Sequence, residues 1–523
     1  MGGASLAGIA AVVGDEGVET RDWGLESGDE RLEIRDSSRA ISDLQSPSSV
    51  LDGIAALVDQ NLVVRLPGVD DEPRFGMLET VREYALERLA ESGEEAAMRQ
   101  RHAEYFRALA EDSESEWEGP EEPAWLARLQ AELDNLRAAL AWSVAAPGRA
   151  ETGLRLLGAS GWFWFNSGYL SEGRAWLTAV LDLPEAAPRT ALRAKVLRQL
   201  GRLVVWQADY AEARVVLEES AVICRELGDR RGLGEALALL GNALDGYDAA
   251  QPIWEESVAA LREANAPHTL ALALRWLALS HMTRRDFKAA RAGLEESLQL
   301  VQQLQNSLGI GIAMTGLGQL AEAEGDYAAA RRWYEQALVY REQAGEKYGV
   351  AHVLVMAARM ALLQGDYLVA TAYAERGLPI CREVGNRNGL MGAHQILGHV
   401  ACGQGETAAA MAHFRQSLTL PQARVAGAPS VRGMLGVARV WHATGQSVRA
   451  ARLLGAAARS LAGLAFVQWP HDRASLDELV TTVRASLGED EFAAAWAAGQ
   501  AMPLDEAVTY ALAAIPTAEL RDG

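Results

Sequence analysis

Apolar positions recur along this chain at helical spacing, and short polar turns interrupt them at regular intervals. One run covers Met314 to Glu324, Gly325-Asp326 ends it, and a second run covers Tyr327 to Ala344. Two such runs joined by a tight turn predict a helical hairpin. Because Gly318 in the first helix and Ala330 in the second are small, we expect the two helices to pack closely.

The hairpin is repeated with a fixed step. Gly325-Asp326-Tyr327 returns 40 residues later as Gly365-Asp366-Tyr367. Related triplets keep this register at 285–287, 405–407 and 445–447. One earlier unit steps by 37 residues, which places a deletion near Leu244 to Tyr247, where a predicted loop tolerates shortening.

The first part of the chain has a different pattern. Leu51 to Asp59 is predicted to be a helix, and Leu62 to Leu66 and Arg74 to Met77 are predicted to be short strands around the Pro67-Gly68 turn. This order is typical of a small winged unit. The polar segment 19–49 is predicted to be a disordered insertion.

The repeated unit resembles a tetratricopeptide repeat in its longer version of about 40 residues, and the resemblance covers Leu197 to Leu461. The segments at 75–85 and 134–140 resemble large bacterial transcription regulators of the STAND class. The segments at 453–457, 491–496 and 504–508 resemble the closing helices of the same regulators.

The resemblance implies an order of domains. In that family a nucleotide-binding ATPase precedes a winged helix and the helical repeats, and some members continue into a DNA-binding helix-turn-helix. No Gly-Lys dipeptide, which a phosphate-binding loop requires, occurs in this sequence. We therefore expect the chain to lack the ATPase, and because the chain stops at Gly523 after the closing helices, we also expect it to lack a terminal helix-turn-helix.

These observations predict an all-α fold, a tetratricopeptide-type helical-hairpin superhelix with a small winged-helix unit at the N-terminus whose completeness the sequence leaves open. The winged-helix unit is expected at 1–92 and a helical linker region at 93–190, which includes an acidic linker at 111–122. The repeats are expected at 191–461 and C-terminal capping helices at 462–523.

Composition narrows the possible functions. A net charge of -21 argues against broad nucleic-acid binding, because neutralising phosphates requires an excess of Lys and Arg. Three scattered cysteines without CxxC spacing are typical of a reducing compartment, so we expect the protein in the cytoplasm. No apolar run approaches the ~20 residues of a membrane span, and no membrane association is expected.

Polar side chains recur on the first helix of each hairpin, the helix that lines the concave side of such a superhelix. The stripe follows the spacing of Ile312, Thr315, Gln319 and Glu322, with Glu235 and Glu322 as acidic exceptions. Carried through every unit, the stripe selects these candidates for ligand binding: Lys195, Arg198, Arg202, Asn242, Arg275, Gln319, His352, Arg359, Gln395, His399, Arg432, Arg439 and His442.

A mostly basic groove in an acidic protein predicts a protein or peptide partner of acidic character, because Arg forks hold carboxylates by two parallel hydrogen bonds. The alternative interpretation is that these cations line a solvated face and pair with neighbouring acids. Under the first interpretation, replacing Arg198, Arg202 and Arg359 with Glu is expected to abolish partner capture without changing helicity or melting.

Other chemistry has weaker support. His394, His399, Cys402 and His413 lack the converging ligands of a metal site, and no GxSxG elbow or paired catalytic carboxylates are recognisable. We expect no enzyme activity, no metal and no cofactor. The aromatic run at 162–165 is interpreted as core packing, with an exposed partner anchor as the alternative.

The sequence thus favours a non-enzymatic interaction scaffold, resembling the sensor arm of a STAND-type transcription or signalling regulator. An alternative is a sensor of a small anionic effector that acts on a separately encoded ATPase or DNA-binding partner. A third possibility is a fragment of a larger ATPase regulator without independent function. The identity of the ligand and the oligomeric state stay open.

Overall fold

The computed structural model describes residues 4–13, 47–68, 73–114, 121–207, 209–244, 246–420, 427–462 and 470–513. Most of the insertion predicted at 19–49 lies outside these residues, as do residues 115–120 of the acidic linker. The chain divides into two compact units. Unit 1 comprises Met1–Leu244 and Glu256–Ala266, and unit 2 comprises Asp245–Glu255 and Pro267–Gly523.

Unit 1 begins with a small mixed region. Its elements are β1 (Ala4–Ser5), α1 (Leu6–Val13), α2 (Pro47–Asp59), β2 (Val63–Leu66) and β3 (Arg74–Met77). The strands form an antiparallel sheet in the order β1-β3-β2. Ala10, Val50 and Ile54 form a small apolar core beneath this sheet. The two strands predicted from sequence are β2 and β3.

Helices make up the rest of unit 1. They are α3 (Glu79–Ser92), α4 (Glu95–Glu114), α5 (Glu122–Ala131), α6 (Leu133–Val144), α7 (Ala150–Asn166), α8 (Leu170–Leu181), α9 (Ala191–Trp206), α10 (Tyr210–Leu227), α11 (Arg230–Asn242) and α12 (Tyr247–Glu263), the last of which contributes to both units. Residues 111–114 of the expected acidic linker belong to α4. In α7, Phe163 and Trp164 are fully buried, so the centre of the aromatic run packs in the core.

Unit 2 consists of hairpins followed by closing helices. The hairpins are α13 (Pro267–Thr283) with α14 (Phe287–Gln303), α15 (Ser307–Glu324) with α16 (Tyr327–Gln343), α17 (Lys347–Leu363) with α18 (Tyr367–Glu383), α19 (Arg387–Gly403) with α20 (Thr407–Thr419), and α21 (Gly427–Ala443) with α22 (Ser447–Ala462). The closing helices are α23 (Pro470–Leu487), α24 (Glu489–Gln500) and α25 (Leu504–Leu512). The all-α, tetratricopeptide-type arrangement predicted from the sequence is confirmed.

The recurring triplets are helix boundaries. The side chain of Asp326 accepts a hydrogen bond from the N–H of Ala329 at 2.9 Å, and therefore caps the second helix of its hairpin. Gly325 ends the first helix with φ 85°, a conformation that glycine adopts without strain. The sequence pattern placed the start of α15 too late, because α15 begins at Ser307 and not at Met314.

Small residues set the distance between the helices of a hairpin. A Cβ added to Gly318 would lie 2.5 Å from Cε1 of Tyr334, which is fully buried in α16. The glycine therefore makes room for the aromatic ring, as the sequence predicts. In the closing helices, a Cβ on Gly499 would lie 1.8 Å from the backbone oxygen of Arg452, so α24 packs directly against the backbone of α22.

Among the described residues, none of the helices has both the length and the apolar character that a membrane span requires.

Candidate functional site

The first helices of neighbouring hairpins lie side by side within each unit. In unit 1, α9 contacts α11, and in unit 2, α17 contacts α19 and α19 contacts α21, whereas no comparable contacts join the second helices of the described hairpins. The first helices therefore form the tighter side of each stack. We call the exposed side of these helices the inner face of each unit.

On the inner face of unit 1, several candidate residues are paired with acids. Arg198 Nε lies 3.2 Å from Glu235 Oε2, and Lys195 Nζ lies 2.6 Å from Glu114 Oε1. Burial raises the pKa of Glu235, but Arg198 and Arg231 outweigh it and hold that pKa below its usual value. Glu235, an acidic exception in the sequence pattern, is therefore the partner of the cations around it.

Arg202 has a different environment. Its guanidinium carbon lies 4.9 Å from the ring centroid of Trp162, and its Nε is buried without a hydrogen-bond partner. Burial lowers the pKa of Arg202 to about 10. Asn242, the next candidate in this unit, donates to the backbone oxygen of Ala238 at 3.3 Å.

In unit 2, Glu322 is at the centre of a buried polar group. Arg359 Nη2 donates to both of its carboxylate oxygens, at 2.6 and 2.8 Å, and the Tyr334 hydroxyl donates to it at 3.0 Å. Burial raises the pKa of Tyr334 well above its usual value. Since Glu322 is 0% exposed, replacing Arg359 with Glu would bury two carboxylates together, which makes that substitution a change of structure as well as of charge.

Arg341 is a buried cation that the sequence stripe does not include. It lies 40 residues after Val301 and 40 before Cys381, at a core position that is apolar in both neighbouring hairpins. Its Nη1 donates to Glu346 Oε2 at 2.5 Å, and burial lowers its pKa. A Cβ on Gly349 would lie 1.6 Å from Nη1, so that glycine makes room for the guanidinium. Departure from the apolar pattern in the 40-residue register is the signal that identifies Arg341.

Arg275, Gln319 and His352 lie on α13, α15 and α17, and Arg275 and His352 are close enough to Arg341 for it to lower the pKa of each. The Arg275 guanidinium carbon lies 4.3 Å from the ring centroid of Trp276, and no carboxylate within the described ranges lies within 4.0 Å of it. Burial, with a contribution from Arg341, lowers the pKa of Arg275 to about 10. Burial and then the nearby Arg341, Arg359 and Arg275 lower the pKa of His352 to about 3, so the imidazole is neutral at physiological pH.

The first helix of the last hairpin, α21, contacts the closing helix α23. Arg439 on α21 has Nη2 3.5 Å from Ser475 Oγ and 3.7 Å from Glu478 Oε2, both on α23. Further along, His471 at the start of α23 has Nδ1 3.9 Å from Glu322 Oε1, and its ring meets the Tyr327 ring edge-on at 6.1 Å. The return of α23 to Glu322 could not be predicted from the sequence, because no repeat pattern covers that segment.

The remaining candidates are Gln395, His399, Arg432 and His442. Gln395 is buried on α19, the His399 ring packs edge-on against Phe414 at 5.0 Å, and Arg432 is half-buried on α21. His442 Nδ1 lies 2.9 Å from Ser447 Oγ.

Two of the histidines that a metal hypothesis would use, His394 and His413, lie near each other. His394 Nδ1 lies 3.3 Å from His413 Nδ1, and burial lowers the pKa of His394 to about 4. Among the described residues, no group of three or more His, Cys, Asp or Glu side chains is placed to hold a metal ion.

Comparisons with known proteins agree with this architecture. Residues 269–343 match the family model described as tetratricopeptide repeat. A candidate HTH-type transcriptional regulator of Mycobacterium bovis is 35% identical over 266 residues, which cover 49% of this chain and 29% of the relative. The chain thus spans less than a third of the length of that relative.

Two solved structures are also similar. The crystal structure of Rap protein complexed with competence and sporulation factor has a TM-score of 0.46 at 12% identity, covering 75% of this chain and 99% of that chain. A STAND protein with a tetratricopeptide repeat sensor from Pyrococcus horikoshii has a TM-score of 0.43 at 11% identity, covering 70% of this chain and 57% of that chain.

Proposed function

We propose that this chain is the ligand-binding part of a transcription or signalling regulator, and that it acts by binding a peptide or protein segment on the inner face of unit 2 rather than by catalysis. The 35% identity to a candidate HTH-type transcriptional regulator supports the regulatory role. The free thiols Cys224, Cys381 and Cys402 support a reducing compartment, and we propose the cytoplasm.

The observation that carries the proposal is the position of α23. A helical segment of the chain lies against α21 on the inner face and reaches Glu322 through His471. Arg439 contacts Ser475 and Glu478 on the same segment. A face that already holds one helical segment through polar side-chain contacts has the chemistry to hold another, and the stacked hairpins keep it preorganised.

A second candidate is a small anionic effector, relayed to a separately encoded ATPase or DNA-binding partner. The observation that favours it is local charge. Arg341 and Arg359 pair with Glu346 and Glu322, and Arg275 lies near Arg341 with no carboxylate of the described residues within 4.0 Å, so we infer a local surplus of positive charge there. Concentrated charge attracts small anions as well as acidic peptides.

The test locates the ligand directly. Short peptides selected from a displayed library against the purified full chain are resynthesised with a photo-cross-linking group, and cross-linked residues are identified by mass spectrometry. The proposal expects cross-links on α13, α15, α17, α19 or α21. Cross-links confined to second helices, or a library that yields no binder, would refute peptide binding on the inner face.

A pair of charge-reversal variants gives the control. R432E changes a half-buried arginine of the inner face, whereas R332E makes the same change at an exposed residue of the second helix α16. We expect R432E to weaken peptide binding measured by fluorescence anisotropy and R332E to leave it unchanged. Equal effects of both variants would indicate non-specific attraction by charge.

A further inference from the structure

Two histidines interrupt the apolar core of one hairpin in unit 2. His394 on α19 occupies the position that Leu354 holds 40 residues earlier, and His413 on α20 occupies the position of Tyr373. Leu354 and Tyr373 pack in one hydrophobic cluster. The hairpin of α19 and α20 therefore has imidazoles where the preceding hairpin has an aliphatic and an aromatic side chain. A break in the apolar pattern at two neighbouring positions is typical of a functional site.

The two imidazoles face each other with nitrogens that can bind a metal ion. Their Nδ1 atoms lie 3.3 Å apart, and the two rings are tilted by 32°. In a tetrahedral zinc site with Zn–N bonds of about 2.0–2.1 Å, two ligand nitrogens lie about 3.3–3.4 Å apart. The separation therefore fits two ligands of one ion, each imidazole carrying its proton on Nε2. The alternative is a hydrogen bond between neutral imidazoles, which an apolar pair of similar shape would replace at little cost in stability.

Glu375 on α18 is a third group near this pair. Burial lowers the pKa of His413 and the carboxylate of Glu375 raises it, so the two side chains are within electrostatic reach of each other. The equivalent residues one hairpin earlier are in contact, since the Tyr373 hydroxyl donates to Glu335 Oε1 at 3.1 Å. No third ligand is already in place among the described residues. A third ligand therefore requires Glu375, which is exposed, to change rotamer.

The surrounding charges are mixed. Burial, and then His413 and Arg382, lower the pKa of His394 to about 4, so this imidazole is unprotonated at neutral pH, the form that binds metals. The positive charge of Arg382 disfavours a bound cation, whereas the negative charge of Glu375 favours one. Two imidazoles and one carboxylate are a ligand set that zinc accepts.

We propose that His394 and His413 form a zinc site where α19 meets α18 and α20, with Glu375 as the third ligand and water in the remaining position. The ligands lie between first and second helices and not on the inner face, so the inference does not depend on the proposed peptide binding. It departs from the expectation of no metal, because the structure brings together side chains 19 residues apart in the sequence. The bound ion ties α20 to α19 and α18, and zinc therefore stabilises this part of unit 2.

The experiment is isothermal titration calorimetry of the purified, metal-stripped full chain with zinc chloride at neutral pH. We expect a single zinc ion per chain in the wild type. H413Y is expected to weaken binding by roughly 100-fold or more, because loss of an outer-shell partner alone costs about 10–100-fold. E375Q keeps an amide oxygen and is expected to weaken binding less. Cobalt(II) in place of zinc reports the tetrahedral geometry through its visible absorption.

Matched variants provide the controls. H394L combined with H413Y restores the residue types of the preceding hairpin, so this double variant is expected to fold without zinc and to bind none. H413Y alone, at a half-buried position, keeps the test valid if the double variant does not fold. H281A removes a half-buried histidine of α13 and is expected to leave zinc binding unchanged.

Three results would overturn the inference. The first is a wild type that shows no saturable zinc binding, and the second is an affinity in H413Y equal to that of the wild type. The third is an equal loss of binding in H281A and H413Y, which would indicate adventitious coordination by scattered histidines.

Discussion

Replacing Arg275 with Met should stabilise the protein. The pKa of Arg275 is lowered to about 10 from the usual 12.5, mainly by burial and then by Arg341. Because the folded-state pKa lies below the unfolded-state value, the unfolded chain holds the proton more tightly, and the resulting loss of stability is complete at every pH below about 10. One pKa unit corresponds to about 1.4 kcal/mol, so the charged guanidinium costs the fold about 3 kcal/mol at neutral pH.

The expected net gain is smaller than this figure. Arg275 also stacks on Trp276, which contributes about 0.5–1 kcal/mol, and Met retains most of the packing of the arginine stem against α15. We therefore expect R275M to raise the free energy of unfolding by about 1–2 kcal/mol after allowance for partial solvent screening. A charged residue that destabilises its own fold is typical of a binding site, where a ligand offsets the loss.

The assay is thermal unfolding followed by far-UV circular dichroism, with R332M as the matched control on α16. Hydrogen exchange of α13 and α15 amides measures the effect locally, which is necessary because a stack of hairpins need not unfold in one step. A melting temperature for R275M equal to or below that of the wild type, with unchanged helicity, would show that Arg275 is adequately solvated or paired and would refute the reasoning.

Three further predictions concern other groups. E322Q is expected to lower the free energy of unfolding by about 3–5 kcal/mol, because it leaves Arg359 buried beside a neutral amide; a melting temperature like that of the wild type would contradict this. His352 has a folded-state pKa of about 3, below the usual 6.5, so the free energy of unfolding should fall as pH decreases from 6.5 towards 3. In a pH series of melting temperatures, H352Q should show a smaller decrease over this range, because one proton fewer is taken up on unfolding. G499A is expected to lower stability by about 1–3 kcal/mol and to make the closing helices sensitive to limited proteolysis, since the new Cβ would lie 1.8 Å from the Arg452 backbone oxygen; unchanged protease resistance would argue against that close packing.

Several features of the fold follow from the sequence alone, because they depend on residues close together in the chain. The 40-residue register, the cap at Asp326 and the small residue at Gly318 each specify a local conformation or a contact within one hairpin. The start of α15 was predicted too late because Gly309 and Gly311 weaken the helical pattern. The structure explains these glycines, since a Cβ on Gly311 would lie 2.8 Å from Cγ of Arg341.

The pairing of charges was decided only by the tertiary structure. The register assigns Gln319, Glu322 and Arg359 to one face, but whether Arg359 reaches Glu322 depends on the rotation and stagger of α15 against α17. The same holds for Arg341, whose burial at an apolar position requires the space left by two glycines in other helices. The return of His471 to Glu322 joins segments far apart in sequence, and no local periodicity encodes such a contact. The sequence by itself therefore determined the hairpins and the composition of their inner faces, whereas the tertiary structure decided which charges on those faces are paired with acids.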